Sequence, residues 1–375
     1  MEIQQIIDQK KEYYNPLLIF LESNIDDESL IFKDFDEKGF KEILYLISKI
    51  AKNHHQNAGF FSKIEKFLLY FEDKIKQTFS NSEIFNFFKS NKKILLFLFE
   101  KKIITIDESI INYMFEKSDK DYPTFFWPEI ESFENHNYIN KVKSQLSKLD
   151  SSAFDNFELK RKIGENDLYV CSLIRDDSIE EFVKYVTQTN MSLSKTIIKH
   201  SIFETNSFLI NKKATLIEYA AFFGSFQIFK FLQLNGVKLE KTLWLYAIHS
   251  DNSDLIHLME ESGIAPEDSS FECCLKESIK CHHNCIANYI HEHFINEKDE
   301  KNKIEKDFNK NIFAYAFHYF NYKFFPDDFN NKFDIFYLIQ NDYFAIVNAL
   351  LKTKDIDLSI KYIYKKNFNE VYFFT

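Results

Sequence analysis

The stretch Thr215–Gly263, TLIEYAAFFGSFQIFKFLQLNGVKLEKTLWLYAIHSDNSDLIHLMEESG, constrains this chain more than any other, because nearly the same helical hairpin occurs in it twice. Ala220 in Tyr-Ala-Ala is answered 27 residues later by Ala247 in Tyr-Ala-Ile. A polar break follows each, Gly224-Ser225 and Asp251-Asn252-Ser253. Each break then opens a second apolar run, Ile228–Leu232 and Leu255–Met259. A hairpin this short cannot bury its apolar face alone, so the pattern predicts neighbours stacked on a shared core.

The same register extends down the chain. The inward position of the first helix is Ile217, Trp244, Leu275 and Ile335, and the small position beside it is Ala220, Ala247, Ser278 and Leu338. The second helix carries Ile228-Phe229, Leu255-Ile256, Ile286-Ala287 and Ile346-Val347. Phe231-Leu232, Leu258-Met259, Tyr289-Ile290 and Ala349-Leu350 follow. Between Ser278 and Leu338 there is room for one irregular unit, with Asn311–Phe320 as its first helix and Phe325–Asp328 as its break. Leu173 and Phe182–Val186 resemble a first unit, one residue out of phase, with a capping box at Ser178–Glu181. An inserted segment around Ser192–Asn206 separates it from the next. In all of these the inward residues, Trp244 included, read as core.

Residues 1–162 read as helices with polar breaks, arranged as degenerate helical repeats. Ile3–Leu21 is expected to be one or two helices, interrupted near Asn15-Pro16. Phe40, Ile43, Leu44, Ile47 and Ile50 make one helical face, and Phe60, Phe61, Ile64, Phe67, Leu68 and Phe71 another. Capping boxes are expected at Ser80–Glu83 and Thr105–Glu108. Ser118–Pro123 reads as a loop, and Phe125-Phe126-Trp127 as a buried anchor. The expected domains are 1–162, a helical N-terminal region, and 163–375, the repeat domain.

Composition narrows the function. Only 6 Gly and 5 Pro disfavour sandwiches and barrels, while 43 Phe supply large side chains for burial. A net charge of −10 and a pI near 5.6 argue against nucleic acid and anionic lipid as partners. No apolar run reaches spanning length, and MEIQQIIDQKKEYY lacks the pattern of a signal peptide, so a cytoplasmic location is expected. Five Cys fit reduced thiols better than a disulfide framework.

The segment Cys281-His282-His283-Asn284-Cys285, with Cys273, Cys274, His291 and His293 nearby, is the nearest thing to a metal motif. The repeat register places His282 and His283 in the turn equivalent to Gly224-Ser225, which breaks the face that Cys281 and Cys285 would share. The spacings also match no zinc pattern. His54-His55 reads as a solvated loop. Asp176-Asp177 and Asp327-Asp328 read as helix caps. No phosphate-binding loop, dinucleotide fingerprint or nucleophile elbow is present. The expectation is therefore no enzyme activity, no catalytic or metal residues and no cofactor.

The strings GEND (164–167), CSLIRDDSIEEF, SIFETNSFLI (201–210), LIEYAAFFGSFQIFKFL, LWLYAIHSDNSDLIHL, CLKESIKCHHN (274–284) and FFPDDFNNKF (324–333) together resemble a family. It is the large, divergent ankyrin-repeat family expanded in Trichomonas, which contains the domain DUF3447. The resemblance covers roughly residues 60 to 360. It implies an all-α, ankyrin-like helical-repeat solenoid. Members often continue into regular Thr-Pro-Leu-His units, which this chain lacks before Thr375, so a short or truncated member is expected.

The function expected is a non-catalytic protein–protein interaction scaffold that presents an ankyrin-type surface. The alternative is a repeat arm that targets an enzymatic or metal-binding N-terminal module. The contact residues expected for a protein partner lie at the loop tips before each first helix: Asn211, Lys213, Lys238, Glu240, Lys241, Glu267 and Asp268.

Overall fold

The structure is a computed structural model that describes residues 3–22, 36–53, 59–116, 121–147, 154–210, 212–267, 269–295, 304–325, 338–341, 343, 346–347 and 349–350. The helices are α1 (Ile3–Glu22), α2 (Glu37–Asn53), α3 (Phe60–Tyr70), α4 (Glu72–Thr78), α5 (Asn81–Phe88), α6 (Lys92–Glu100), α7 (Glu108–Glu116), α8 (Tyr122–Phe125), α9 (Trp127–Ser132), α10 (His136–Leu146) and α11 (Phe157–Ile163). They continue as α12 (Tyr169–Arg175), α13 (Ile179–Gln188), α14 (Ser207–Ile210), α15 (Leu216–Phe223), α16 (Phe226–Leu234), α17 (Leu243–His249), α18 (Ser253–Glu261), α19 (Glu272–Cys281), α20 (Asn284–Ile290) and α21 (Ile304–Tyr319). Among the described residues there is no strand, only an isolated antiparallel bridge between Ile197 and Thr215. None of the described helices is long and apolar enough to cross a membrane.

From α12 onward the helices pack in pairs: α12 with α13, α15 with α16, α17 with α18 and α19 with α20. The first helices also touch in sequence, α12 on α15, α15 on α17, α17 on α19 and α19 on α21. Small residues at that seam, Ala220, Ala247 and Ser278, are fully buried and let the backbones approach. Trp244 is fully buried as well. Its indole N–H donates to the Ile264 carbonyl, and its ring meets Phe271 and Phe294 edge-on.

Four turns share one geometry, and the turn after α17 departs from it, because there the Asn252 N–H bonds Ser250 Oγ (3.2 Å) instead. Asp177, Gly224, His282 and Phe320 all have positive φ. The next N–H then reaches back five residues, from Ser178 to Leu173 (3.0 Å), Ser225 to Ala220 (2.9 Å), His283 to Ser278 (3.1 Å) and Asn321 to Ala316 (3.0 Å). This is the Schellman closure, which satisfies carbonyls at a helix end that would otherwise lack partners. Only Gly224 reaches it without steric cost from a Cβ.

Successive turns are tied by side chains. Ser225 Oγ donates to the Ile174 carbonyl, His283 Nδ1 to Ile248 (2.7 Å) and Asn321 Nδ2 to Ile279 (3.0 Å). Asn252 Nδ2 reaches Gly224 (3.4 Å). Ser225 is free for this task because it does not cap its own helix. The preceding turn does so: the Asp177 carboxylate accepts from the N–H groups of Gln227 (3.0 Å) and Ile228 (2.9 Å).

Several local expectations are corrected. α1 runs unbroken through Pro16. The carbonyl deprived of a partner belongs to Glu12, on the exposed side, while Tyr14, Leu17, Phe20 and Leu21 are buried and hold the helix. Ser80 and Glu83 do form a capping box. At 105–108, however, Asp107 is the cap and accepts from Ile110 N–H. Ser178 makes no side-chain cap bond. Pro123 lies within α8, at a first-turn position that needs no N–H. The irregular unit turns at Phe320-Asn321, ahead of Phe325. His54, His55, Asp327, Asp328 and Ile335 lie outside the described residues.

Two hydrophobic cores result, and they do not follow chain order. One spans Val170–Ile295 and takes in Ile312. The other joins Ile6–Leu146 to Ala316–Leu350. The inserted segment is clasped by the residues before α12. Asn166 Nδ2 donates to Lys199 O (2.8 Å), Ser201 Oγ to Asp167 (2.7 Å), and Thr205 Oγ1 to Gly164 O (2.6 Å). Two of the strings that carry the family resemblance, 164–167 and 201–210, therefore meet.

Candidate functional site

The chemistry-bearing side chains converge where α17 meets α19. Glu277 and Cys281 are four residues apart on α19 and share a face. His249, at the end of α17, faces both. Its Nε2 lies 2.8 Å from Glu277 Oε1, and its Nδ1 lies 3.5 Å from Cys281 Sγ. Lys280 Nζ, 2.7 Å from the same carboxylate oxygen, closes the chain of contacts.

Protonation follows from burial and charge. Burial pushes His249 down, against the pull of Glu277 and of the Asn53 carbonyl at the end of α2. Burial pushes the Cys281 thiol well up, and Glu277 adds to that. Burial also works against ionised Glu277, but the hydrogen bonds from His249 and Lys280 and the Lys280 charge outweigh it and hold the carboxyl below the ordinary carboxylate range. The arrangement we assign is a neutral imidazole that donates from Nε2 to a carboxylate neutralised by Lys280 and accepts the Cys281 S–H at Nδ1.

Cysteine, histidine and carboxylate in a row is also the order of a nucleophilic triad. Such a triad needs an accessible, low-pKa thiol. Cys281 is fully buried and burial pushes its thiol well up, so it does not meet that requirement.

A metal is the other use of such donors, which lie within 4.8 Å of one another. In a tetrahedral zinc site S and N stand about 3.5 Å apart and N and O about 3.3 Å. With Nε2 as the ligand atom, Cys281 Sγ lies 3.9 Å away and Glu277 Oε1 2.8 Å away. The second is a hydrogen-bond length, too short for two ligands of one ion. Lys280 occupies the carboxylate, and Lys52 adds positive charge beside Lys280. The local field opposes a cation.

The sequence singled out the neighbours of these residues and missed two of the three. Cys273 and Cys285 are exposed and Cys274 is buried away from the triad. His282 takes the left-handed turn position matching Gly224, as the register predicted, and His283, whose Nδ1 ties its turn to the Ile248 carbonyl, is a buried neutral imidazole with its pKa pushed down by burial to about 4. His249 and Glu277 were missed. The one available signal was the four-residue spacing of Glu277 and Cys281, and nothing local pointed to His249.

The loop-tip residues do not converge with this chemistry. Lys213, Lys238, Glu240, Lys241 and Glu267 are all exposed, and Asn211 and Asp268 lie outside the described residues. Lys238 pairs with Glu240 within its own loop (2.8 Å), which leaves that tip with little net charge. No protein-family model, curated protein or solved structure matches the chain.

Proposed function

We propose that this protein is a non-catalytic scaffold for protein–protein interaction, built as an ankyrin-like helical-repeat solenoid and working in the cytoplasm. The repeat array would run from residue 163 onward, with residues 1–162 as a helical region docked on it. The observation that carries the reading is the recurrence of one turn geometry and one side-chain tie between successive helix pairs, through Ser225, His283 and Asn321. Stacked units of that kind hold their loops in place before a partner arrives, which lowers the entropic cost of binding. The family resemblance to divergent ankyrin-repeat proteins with a DUF3447 domain points the same way. So does a chemical cluster that is buried and neutralised rather than open to substrate.

The surface proposed to bind is the row of exposed tips with Lys213, Lys238, Glu240, Lys241 and Glu267, continued by Asn211 and Asp268. Its mixed charge suits a protein better than a polyanion. The test is an affinity capture of partners by the full chain, compared with the variant K213E/K241E/E267K. Loss of a partner recovered with wild type supports this face. An identical set of partners from both would sink it.

A further inference from the structure

The chain places serine or glycine directly after Asn81, Asn206, Asn235 and Asn252, and of these only Asn235 is followed by glycine. Such pairs are where asparagine loses ammonia most readily. The next backbone nitrogen attacks the side-chain amide carbon, and glycine, without a Cβ, leaves that approach the most room. In a folded chain the outcome depends on what holds each asparagine still.

Asn81, Asn206 and Asn252 are held. Asn81 Oδ1 accepts from the Thr105 N–H (2.9 Å), and its Nδ2 donates to Asp107 (2.7 Å). Asn206 is buried, and its Oδ1 accepts from the Phe208 N–H (2.9 Å). Asn252 caps α18, its Oδ1 accepting from the N–H groups of Asp254 (3.0 Å) and Leu255 (3.2 Å). Turning any of these side chains gives up bonds near the start of a helix.

Asn235 differs. It is the exposed residue that ends α16, and Gly236 after it is exposed too. Its Nδ2 donates to the Phe231 carbonyl (2.8 Å), but among the described residues its Oδ1 has no partner. A Cβ at Gly236 would meet nothing within 4 Å, so no neighbour crowds the glycine. What stands against reaction is the last turn itself. The Gly236 N–H donates to the Gln233 carbonyl (3.0 Å), and an Asn235 ψ of 17° keeps the glycine nitrogen away from the side-chain carbon. Exposed helix ends open at little free-energy cost, whereas buried caps open only with larger parts of a fold.

We propose that Asn235 is a site of spontaneous deamidation, at the root of the loop tip Val237–Lys241. The Gly236 nitrogen attacks Cγ of Asn235 and closes a cyclic imide. Nδ2 leaves as ammonia, taking the proton from the glycine nitrogen. Water then adds to either imide carbonyl and opens the ring, to aspartate or to isoaspartate. Water is consumed and ammonia released, with no oxidation or reduction. Both products put a carboxylate at the C-terminal end of α16, where the helix dipole disfavours it, and lose the donor to Phe231. Isoaspartate also lengthens the backbone by a methylene just ahead of Lys238, Glu240 and Lys241. The effect on binding rests on the role proposed above for that tip; the modification does not.

The test is incubation of the full chain in warm, mildly alkaline buffer, native and unfolded in guanidinium chloride. Digestion and peptide mass spectrometry then give the rate of ammonia loss at each of these asparagines. Dividing each native rate by the rate at the same site in the unfolded chain cancels the intrinsic preference for glycine over serine. The ratio at Asn235 is expected to exceed those at Asn81, Asn206 and Asn252 by about tenfold or more, as a fraying end opens more often than a bonded cap. Asn235→Gln should remove the main acidic species resolved by ion exchange, with circular dichroism as the check of fold. Should that variant not fold, the wild-type rates decide alone. A ratio at Asn235 no higher than at the other sites, or the same acidic species in the same amount from folded Asn235→Gln, overturns the proposal.

Discussion

Single residues in this molecule are judged by what surrounds them. Trp244 fills an inward position with no exposed surface, and its N–H has a backbone partner. Trp244→Ala should therefore cost roughly 3–5 kcal/mol through lost burial and a cavity. Thermal or denaturant melting reads this, and a variant that melts like wild type would show that the inward register is misplaced. Gly164 and Gly236 both have positive φ, at 71° and 78°. A Cβ at Gly164 would stand 3.2 Å from Thr205 Oγ1, whereas at Gly236 it meets nothing within 4 Å. Both alanine variants should lose about 1–2 kcal/mol from backbone strain. Gly164→Ala should lose more, because it also pushes on the clasp around residues 201–206. Equal losses in the two would mean that the clasp yields freely.

At the scale of elements, the informative unit is the turn with its tie to the previous pair. The same place is filled by Ser225, His283 and Asn321, so the requirement is a short side-chain donor and not a particular residue. His283→Asn should thus keep the bond to the Ile248 carbonyl. His283→Ala should leave that buried carbonyl unsatisfied and cost about 1–3 kcal/mol. The two also differ from wild type in pH dependence. The folded His283 pKa, at about 4, lies below its ordinary value of 6.5. Its contribution is complete above 6.5 and is lost as pH falls from there to about 4, an effect on the order of 3 kcal/mol. Urea melts across that range should show a smaller acid-side loss in His283→Asn. The same slope in variant and wild type would assign the loss to other groups. The helical class and the buried positions 217, 220, 244, 247, 275 and 278 were legible in sequence, because helical periodicity and turn chemistry act over a few residues. The exchanged cap was not. Asp177 was recognised as a capping residue, but the helix it caps starts about fifty residues later.

For the whole molecule the deciding contact is between the start of the described chain and its far end. Tyr14 on α1 is buried, and its hydroxyl lies 2.9 Å from His282 Nδ1 and 3.1 Å from Asn321 Oδ1. Asn321 in turn bonds Asn284 (2.9 Å) and the Ile279 carbonyl (3.0 Å). One hydroxyl thus joins α1 to two successive turns. Tyr14→Phe keeps the ring and removes that junction, which should cost about 1–3 kcal/mol. Hydrogen exchange should quicken in α19, α20 and the end of α21, with little change in α12–α16. Faster exchange spread evenly over all helices would argue that Tyr14 serves general stability and not this joint.

What the sequence determined by itself is local. It set the regular helices, the turn positions between the pairs from α15 to α20 and which residues turn inward there, since each follows from spacing within one or two turns of helix. It also excluded the common glycine-based nucleotide and nucleophile motifs. The tertiary structure decided the rest: the meeting of His249 with Glu277 and Cys281, and the return of α1 to His282 and Asn321. These contacts join residues from 28 to 307 positions apart. Helical periodicity encodes which face of a helix is buried, but not which distant helix covers it. That choice belongs to packing, where shape and the pairing of buried polar groups select the partner.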